Sequence, residues 1–353
     1  MRLGLITLPL HSNYGGIVQC YALKTVLEQF GHDIIIIEFP RKKPFKNLIL
    51  GLLKRCILLI SPKNRNQMQA NYLIMSFVEK HIKRERIMNP SKIRNYYFDG
   101  FIVGSDQVWR PDFIRDRGRG LYNYFLDFSI GWNVKRIAYA ASFGKDEWTF
   151  TEKETKACEK LIKSFNGVSV REYSGIELCE KYFNYKEAIQ LVDPTLLLEK
   201  DNYLQLINKE KEDNKQLFSY ILDPSFESAE LEKVAMEKTG FLLCRFYNDG
   251  ANSLPSVESW LAAFRDSKMI ITDSFHGCVF SIIFNKPFWV IKNDAGGNTR
   301  IDSLLRLFEM ETRFVTPMEL RQRDIFECIN WDKINSIKKS QKQKALNFIN
   351  NTL

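Results

Sequence analysis

The 353-residue chain predicts an α/β protein built from two doubly wound halves in tandem. Three observations lead there. Short, near-continuous apolar runs such as HDIIIIEF (32–39) and KMIITDS (268–274) suit parallel strands covered on both faces. Segments with helical apolar spacing separate these runs. The alternation is interrupted once, by the polar stretch EKDNYLQLINKEKEDNK (199–215), and then resumes.

In chain order, RLGLITL (2–8) reads as a strand, HSNYGG (11–16) as a Gly-containing turn, and IVQCYALKTVLEQFG as a helix ending at Gly31, before the 32–39 strand. Strands follow at 98–106, 136–144, 167–172 and 188–194, with helices near 151–163 and 174–182. The second series predicts strands at 216–222, 241–247, 268–274 and 287–292, with helices near 227–238, 256–266 and 276–285. Residues 331–353 read as a terminal helix. The expected division is an N-terminal domain, 1–198, with a basic and apolar insertion at 41–95, and a C-terminal domain, 199–353, that includes the terminal helix. Two Rossmann-like sheets in tandem imply an interdomain cleft, because open α/β sheets bind ligands beyond the carboxyl ends of their strands.

Composition narrows the function. With 45% hydrophobic and 26% charged residues, collagen-like, disordered and low-complexity classes are excluded. The 51 basic residues exceed the 42 acidic ones by 9, which favours an anionic partner. Lys and Arg are dispersed and no recognition motif appears, so nucleic acid is not the expected partner. Seven cysteines without a CxxC pair read as reduced thiols, and no signal-like segment precedes them, so a cytoplasmic protein is expected. HxxH, HExxH and Asp-rich patterns are absent, which predicts no required metal. The apolar run Leu48–Ile60 contains Lys54 and Arg55 and falls short of the roughly 20 residues of a bilayer span. Basic clusters flank it, so residues 41–65 are expected to dock peripherally at the inner face of a membrane; a helix apolar all round has core burial as its alternative.

Four segments at predicted strand ends carry candidate chemistry. In SNYGG, Asn13, Tyr14, Gly15 and Gly16 open a helix whose N-terminus favours an anion, or form a tight turn with Tyr14 as packing. GSDQVW delivers Ser105, Asp106 and Gln107, where Asp106 can orient a hydroxyl or act as a base, or else cap a helix or brace an Arg. AASFG ends in small residues with Ser142 as its polar group. Arg171 follows a buried strand, where a guanidinium needs an anionic partner: a substrate carboxylate or phosphate, or Glu172 or Asp193. TDSFHG places Ser274, His276 and Gly277 at a helix start, where His276 can pair with a phosphate or move a proton, or be a satisfied buried imidazole.

NYGGIVQCYALKTVLEQFGHDI, GSDQVW, AYAASFG, SVREYSG, VDPTLLL and ITDSFHGCVFSIIFNKP, in this order, resemble the polysaccharide pyruvyl transferase family from residue 2 to about 310. The resemblance implies two Rossmann-like domains in a GT-B-like arrangement. It implies transfer of pyruvate from phosphoenolpyruvate, a donor substrate and not a cofactor, onto two hydroxyls of a sugar or lipid-linked oligosaccharide, forming a ketal. It implicates the positions His276 and Arg171 in the donor site. Many members carry Arg where this chain has Ser274; Arg300, in GGNTRIDSLL, is placed to supply that charge. His276 is then the expected general acid, and Asp106 the residue that positions or deprotonates the acceptor. A GT-B glycosyltransferase using a nucleotide sugar and a noncatalytic glycan-binding homologue are the alternatives.

Overall fold

The computed structural model describes residues 1–11, 13–39, 62–87, 89–115, 120–207, 210, 215–246, 255–291 and 298–353. The expected membrane-docking stretch 41–65 lies outside the described residues up to position 61, and residues 62–65 begin the helix Pro62–His81. Among the described residues no helix is long and apolar enough to cross a membrane. The chain forms two compact units, one of Met1–Gly51, Val78–Leu197 and Ser340–Leu353, the other of Leu52–Phe77 and Leu198–Lys339.

The first unit is built on a seven-stranded sheet in the order β3-β2-β1-β4-β5-β6-β7, with every pairing parallel. Its strands are β1 (Arg2–Ile6), β2 (Asp33–Glu38), β3 (Arg84–Arg86), β4 (Gly100–Gly104), β5 (Lys135–Ala141), β6 (Gly167–Val170) and β7 (Ile189–Gln190). The order reverses direction at β1 and β4, which share a register from Leu3↔Gly100 to Ile6↔Val103. Such a switch point gathers strand-end loops at one place on the carboxyl edge. Helix α1 (Tyr14–Gln29) connects β1 to β2 and is buried almost all round, through Ile17, Val18, Leu23, Val26 and Leu27. Trp109 anchors the core below β4, stacked on Phe125 at 5.0 Å with its indole N–H donated to the Tyr124 carbonyl.

The second unit has a four-stranded parallel sheet, β11-β10-β8-β9, formed by β8 (Gln216–Tyr220), β9 (Leu242–Arg245), β10 (Met269–Thr272) and β11 (Phe288–Val290). Leu217, Met269, Ile271 and Trp289 pack with Leu231, Val234 and Ala235 of the helix Phe226–Thr239 in one apolar core. Phe218 and Tyr220 instead meet Trp260 and Phe264, an aromatic layer with ring separations of 5.0 to 6.3 Å. Ser225 closes a capping box at the start of the helix Phe226–Thr239, and Gly240 ends it at φ 65.

Three features depart from the sequence reading. The terminal helix, Trp331–Thr352, was expected with the C-terminal half, yet residues 340–353 cluster with the first unit. The reason is packing: Phe348 reaches within 6.5 Å of Tyr139, and Thr352 and Phe348 fill the space that a Cβ at Gly167 would occupy. Strand β3 carries no apolar alternation because it is an edge held by charge, with Arg84 and Arg86 each 3.1 Å from Glu38. The 188–194 strand shortens to Ile189–Gln190, since Pro194 opens a 3-10 turn through Leu197.

Candidate functional site

At the carboxyl edge of the first sheet, two loops are stitched together. Asp106 follows β4 at φ 71, a left-handed conformation that a non-Gly residue seldom adopts. Its carbonyl accepts the N–H groups of Val108 (2.8 Å) and Ser142 (3.1 Å), and the Ser142 carbonyl accepts the N–H of Trp109 at 3.1 Å. The loop after β5 is itself set by a bulge: Ala140, at φ 45, donates its N–H to Ser169 Oγ, which donates in turn to the Ala138 carbonyl, both at 2.9 Å. Ser142 Oγ accepts the Gly144 N–H at 3.0 Å.

The start of α1 meets the same edge. Asn13 caps the helix, its side chain accepting the Gly16 N–H at 3.2 Å. A Cβ on Gly16 would lie 3.2 Å from Asp106 Oδ2, so the bare glycine lets that carboxylate lie beside the first helical turn. Asp106 Oδ1 accepts the Gln107 N–H at 2.9 Å. Gly15 and Tyr14 are buried in this turn, and burial raises the Tyr14 phenol well above its ordinary pKa, so it stays protonated. Asn13, Gly16, Asp106, Gln107 and Ser142 thus share one edge.

Behind that edge lies a buried ionic cluster. Arg171 places Nε 3.0 Å from Glu172 Oε1 and Nη1 2.9 Å from Asp193 Oδ2. Ser105 donates to the same Asp193 oxygen at 3.0 Å, and Thr195 donates its N–H (3.0 Å) and hydroxyl (2.7 Å) to Oδ1. Burial works to lower the Arg171 pKa, but the carboxylates of Glu172, Asp193 and Asp106 outweigh it and hold the guanidinium above its ordinary value. Of the partners open to Arg171 from the sequence, the structure supplies both protein carboxylates. Ser105, read from sequence beside Asp106, faces this cluster.

In the second unit the corresponding edge follows β10. Thr272 Oγ1 donates to the Tyr220 carbonyl at 2.6 Å and accepts the Ser274 N–H at 3.0 Å. Asp273 takes the N–H groups of Leu222 (2.7 Å) and Asp223 (2.9 Å), tying the end of β8 to that of β10; burial raises its pKa against these two hydrogen bonds. Ser274 caps the helix Phe275–Ile283, accepting the Gly277 N–H at 3.4 Å. A Cβ on Gly277 would fall 2.1 Å from Thr272 Oγ1, so only glycine lets this helix start approach the strand. His276 is the second residue of the helix, buried, with its ring edge-on to Phe275 at 5.2 Å. Arg300 is the third residue of the helix Asn298–Leu307 and is half-buried.

The sequence profile of the polysaccharide pyruvyl transferase family matches residues 13–295, which includes every strand-end motif described except Arg300. The chain belongs to the polysaccharide pyruvyl transferase family. No curated protein matches it in sequence. Among solved structures it is similar to UGT89C1 of Arabidopsis thaliana complexed with UDP-L-rhamnose, at 10% identity and TM-score 0.53 over 100% of this chain and 99% of that one. A putative UDP-N-acetylglucosamine 2-epimerase from Listeria monocytogenes and MnaA of S. aureus with UDP each align at 10% identity and TM-score 0.54, over 99% of this chain and 95% of theirs. At that identity the likeness establishes the fold, which is GT-B-like.

In this pyruvyl transferase family member, Ser274 is a helix cap, a role that needs a short side chain and that arginine could not fill. Sequence reasoning passed over Asp273, whose place beside His276 in TDSFHG was visible but whose backbone partners lie 50 residues upstream. It also stopped one residue before Arg110. Among the described residues no group of three or more His, Cys, Asp and Glu side chains is arranged to hold a metal ion.

Proposed function

We propose that this protein transfers pyruvate from phosphoenolpyruvate onto two hydroxyls of one sugar, making a cyclic ketal on a bacterial surface polysaccharide or its lipid-linked precursor. The observation that carries the reading is the family match over 13–295. In this account His276 donates a proton to the CH₂ carbon of the donor, and a sugar hydroxyl adds to the neighbouring carbon as Asp106 accepts its proton. The bond from that carbon to the phosphate oxygen breaks, and the second hydroxyl adds at the same carbon. The second hydroxyl returns its proton to His276, and the proton held by Asp106 leaves with phosphate, so both residues end as they began.

The phosphate and carboxylate of the donor are assigned to the helix start at Ser274, His276 and Gly277 and to Arg300, and acceptor hydroxyls to Asn13, Tyr14, Gly15, Gly16, Gln107 and Ser142. Arg171 spends Nε on Glu172 and Nη1 on Asp193 and, with Ser105, braces Asp193. No resident metal or cofactor has a step in this scheme. Phosphate release from phosphoenolpyruvate that depends on a sugar acceptor tests it; release independent of acceptor, or none with any acceptor, refutes it.

A further inference from the structure

We propose that Arg110 is an oxyanion-binding residue that, with Gln107, forms a subsite for a phosphate or carboxylate group at the carboxyl edge of the first sheet. Its guanidinium offers five N–H donors in a planar fork. Nη1 is spent on Gln107 Oε1, at 2.7 Å. Nε is shielded from solvent and has no hydrogen-bond partner among the described residues, nor does any carboxylate there form an ion pair with Arg110. Among the described residues the edge of the guanidinium that pairs Nε–H with Nη2–H is therefore unspent.

Arg115, five residues further on, shows what that edge does when filled: Nε and Nη2 grip the two oxygens of Glu154 at 3.0 and 2.6 Å. Two parallel donors match two oxygens of a carboxylate or phosphate. Arg84 and Arg171 likewise have carboxylates, and Arg136, which has none, spends its donors on the carbonyls of Ser129, Trp132 and Val134. Among the described residues Arg110 has Gln107 and the ring of Phe113, at 5.9 Å, as its partners.

The surrounding chain is shaped to keep this side chain in place. Gly144 turns at φ 74, and a Cβ there would fall 2.4 Å from Gln107 Oε1 and 3.1 Å from Arg110 Cδ. The loops after β4 and β5 thus leave room for the Gln107–Arg110 pair between them. Gln107 is also joined through its N–H to Asp106 Oδ1, which ties the Gln107–Arg110 pair to the loop that carries the carboxylate assigned to the acceptor. The oxyanion is carried either by the donor or by a phosphorylated or uronic acceptor, and binding can be read without turnover.

The test is calorimetric titration of the full chain with inorganic phosphate, phosphoenolpyruvate and glucose 1-phosphate, comparing the wild type with Arg110→Gln and Arg110→Lys. The proposal expects at least one of the two organic ligands to bind the wild type and to weaken about tenfold or more in Arg110→Gln, with Lys restoring only part because it lacks the fork. Loss confined to phosphoenolpyruvate assigns the subsite to the donor; loss confined to glucose 1-phosphate assigns it to the acceptor; loss of both together with inorganic phosphate marks a general oxyanion subsite. Wild-type protein that binds none of the three, or equal affinities in Arg110→Gln, overturns it. If Arg110→Gln fails to fold by thermal melting, Arg110→Lys decides, and unchanged affinity there overturns the proposal as well.

Discussion

Arg171 and Asp193 meet at 2.9 Å, Nη1 to Oδ2, with side chains 2% and 0% exposed. Asp193 is held as well by Ser105 and Thr195, and Arg171 by Glu172, so five side chains from three strand ends fix one another at the carboxyl edge of the first sheet.

Substituting Arg171 therefore acts first on stability. Arg171→Ala strands two buried carboxylates and is expected to cost about 3–5 kcal/mol; Arg171→Lys keeps the charge, loses the fork and should cost less. Urea unfolding alongside phosphoenolpyruvate titration checks this: lost stability with donor affinity preserved in the folded fraction is the expected pattern. Lost affinity at unchanged stability would return Arg171 to the donor.

His276→Ala is expected to leave a folded protein in which pyruvyl transfer drops by about two to four decades, the scale for removal of a general acid. The check is turnover per folded molecule, with melting measured in parallel. Near-normal turnover removes His276 from the chemistry, and a lowered melting temperature with activity intact marks it as a packing residue.

Gly277→Ala should destabilise by about 1–3 kcal/mol because the new methyl runs into Thr272 Oγ1. Thr272→Ala in the same chain should recover part of that loss, although it gives up the bond to Tyr220. A double-mutant cycle measures the coupling; additive effects would mean that the clash is not the cause.

Glu154 predicts an acid-sensitive contribution. The Arg115 hydrogen bond above all, with the Thr151 capping contacts, brings its pKa down from 4.5 to about 2, while partial burial opposes this. A carboxylate whose pKa is lower in the folded state stabilises above pH 4.5, and that stabilisation fades as pH falls through 2. Glu154→Gln should thus lose about 1–2 kcal/mol at pH 7, discounted for the exposure of Arg115, and differ little from wild type near pH 2. A constant difference across pH would contradict it.

The strands were legible because parallel strands buried on both faces are written as continuous apolar runs, and DIIIIE and MIIT could hardly be anything else. The arginine edge of β3 had no such signal. Motifs located the strand ends, so Asn13, Gly16, Asp106, Gln107 and Ser142 fell together as neighbours, but partners distant in sequence stayed hidden. Ser105 lies 88 residues from Asp193, and Asp273 50 residues from Asp223; no local pattern distinguishes a substrate ligand from a group already satisfied across such a gap. The docking of residues 340–353 on the first unit was equally nonlocal, since a helix pattern states which face is apolar and not which sheet it covers.

The central claim, ketal formation from phosphoenolpyruvate, is tested most directly by mass spectrometry of sugar acceptors incubated with the protein and phosphoenolpyruvate, with released phosphate counted in the same reaction. The account predicts one pyruvate gained as a ketal for each phosphate released, with both lost together in His276→Ala. An acceptor that gains a sugar from a nucleotide donor while phosphoenolpyruvate stays intact would contradict it.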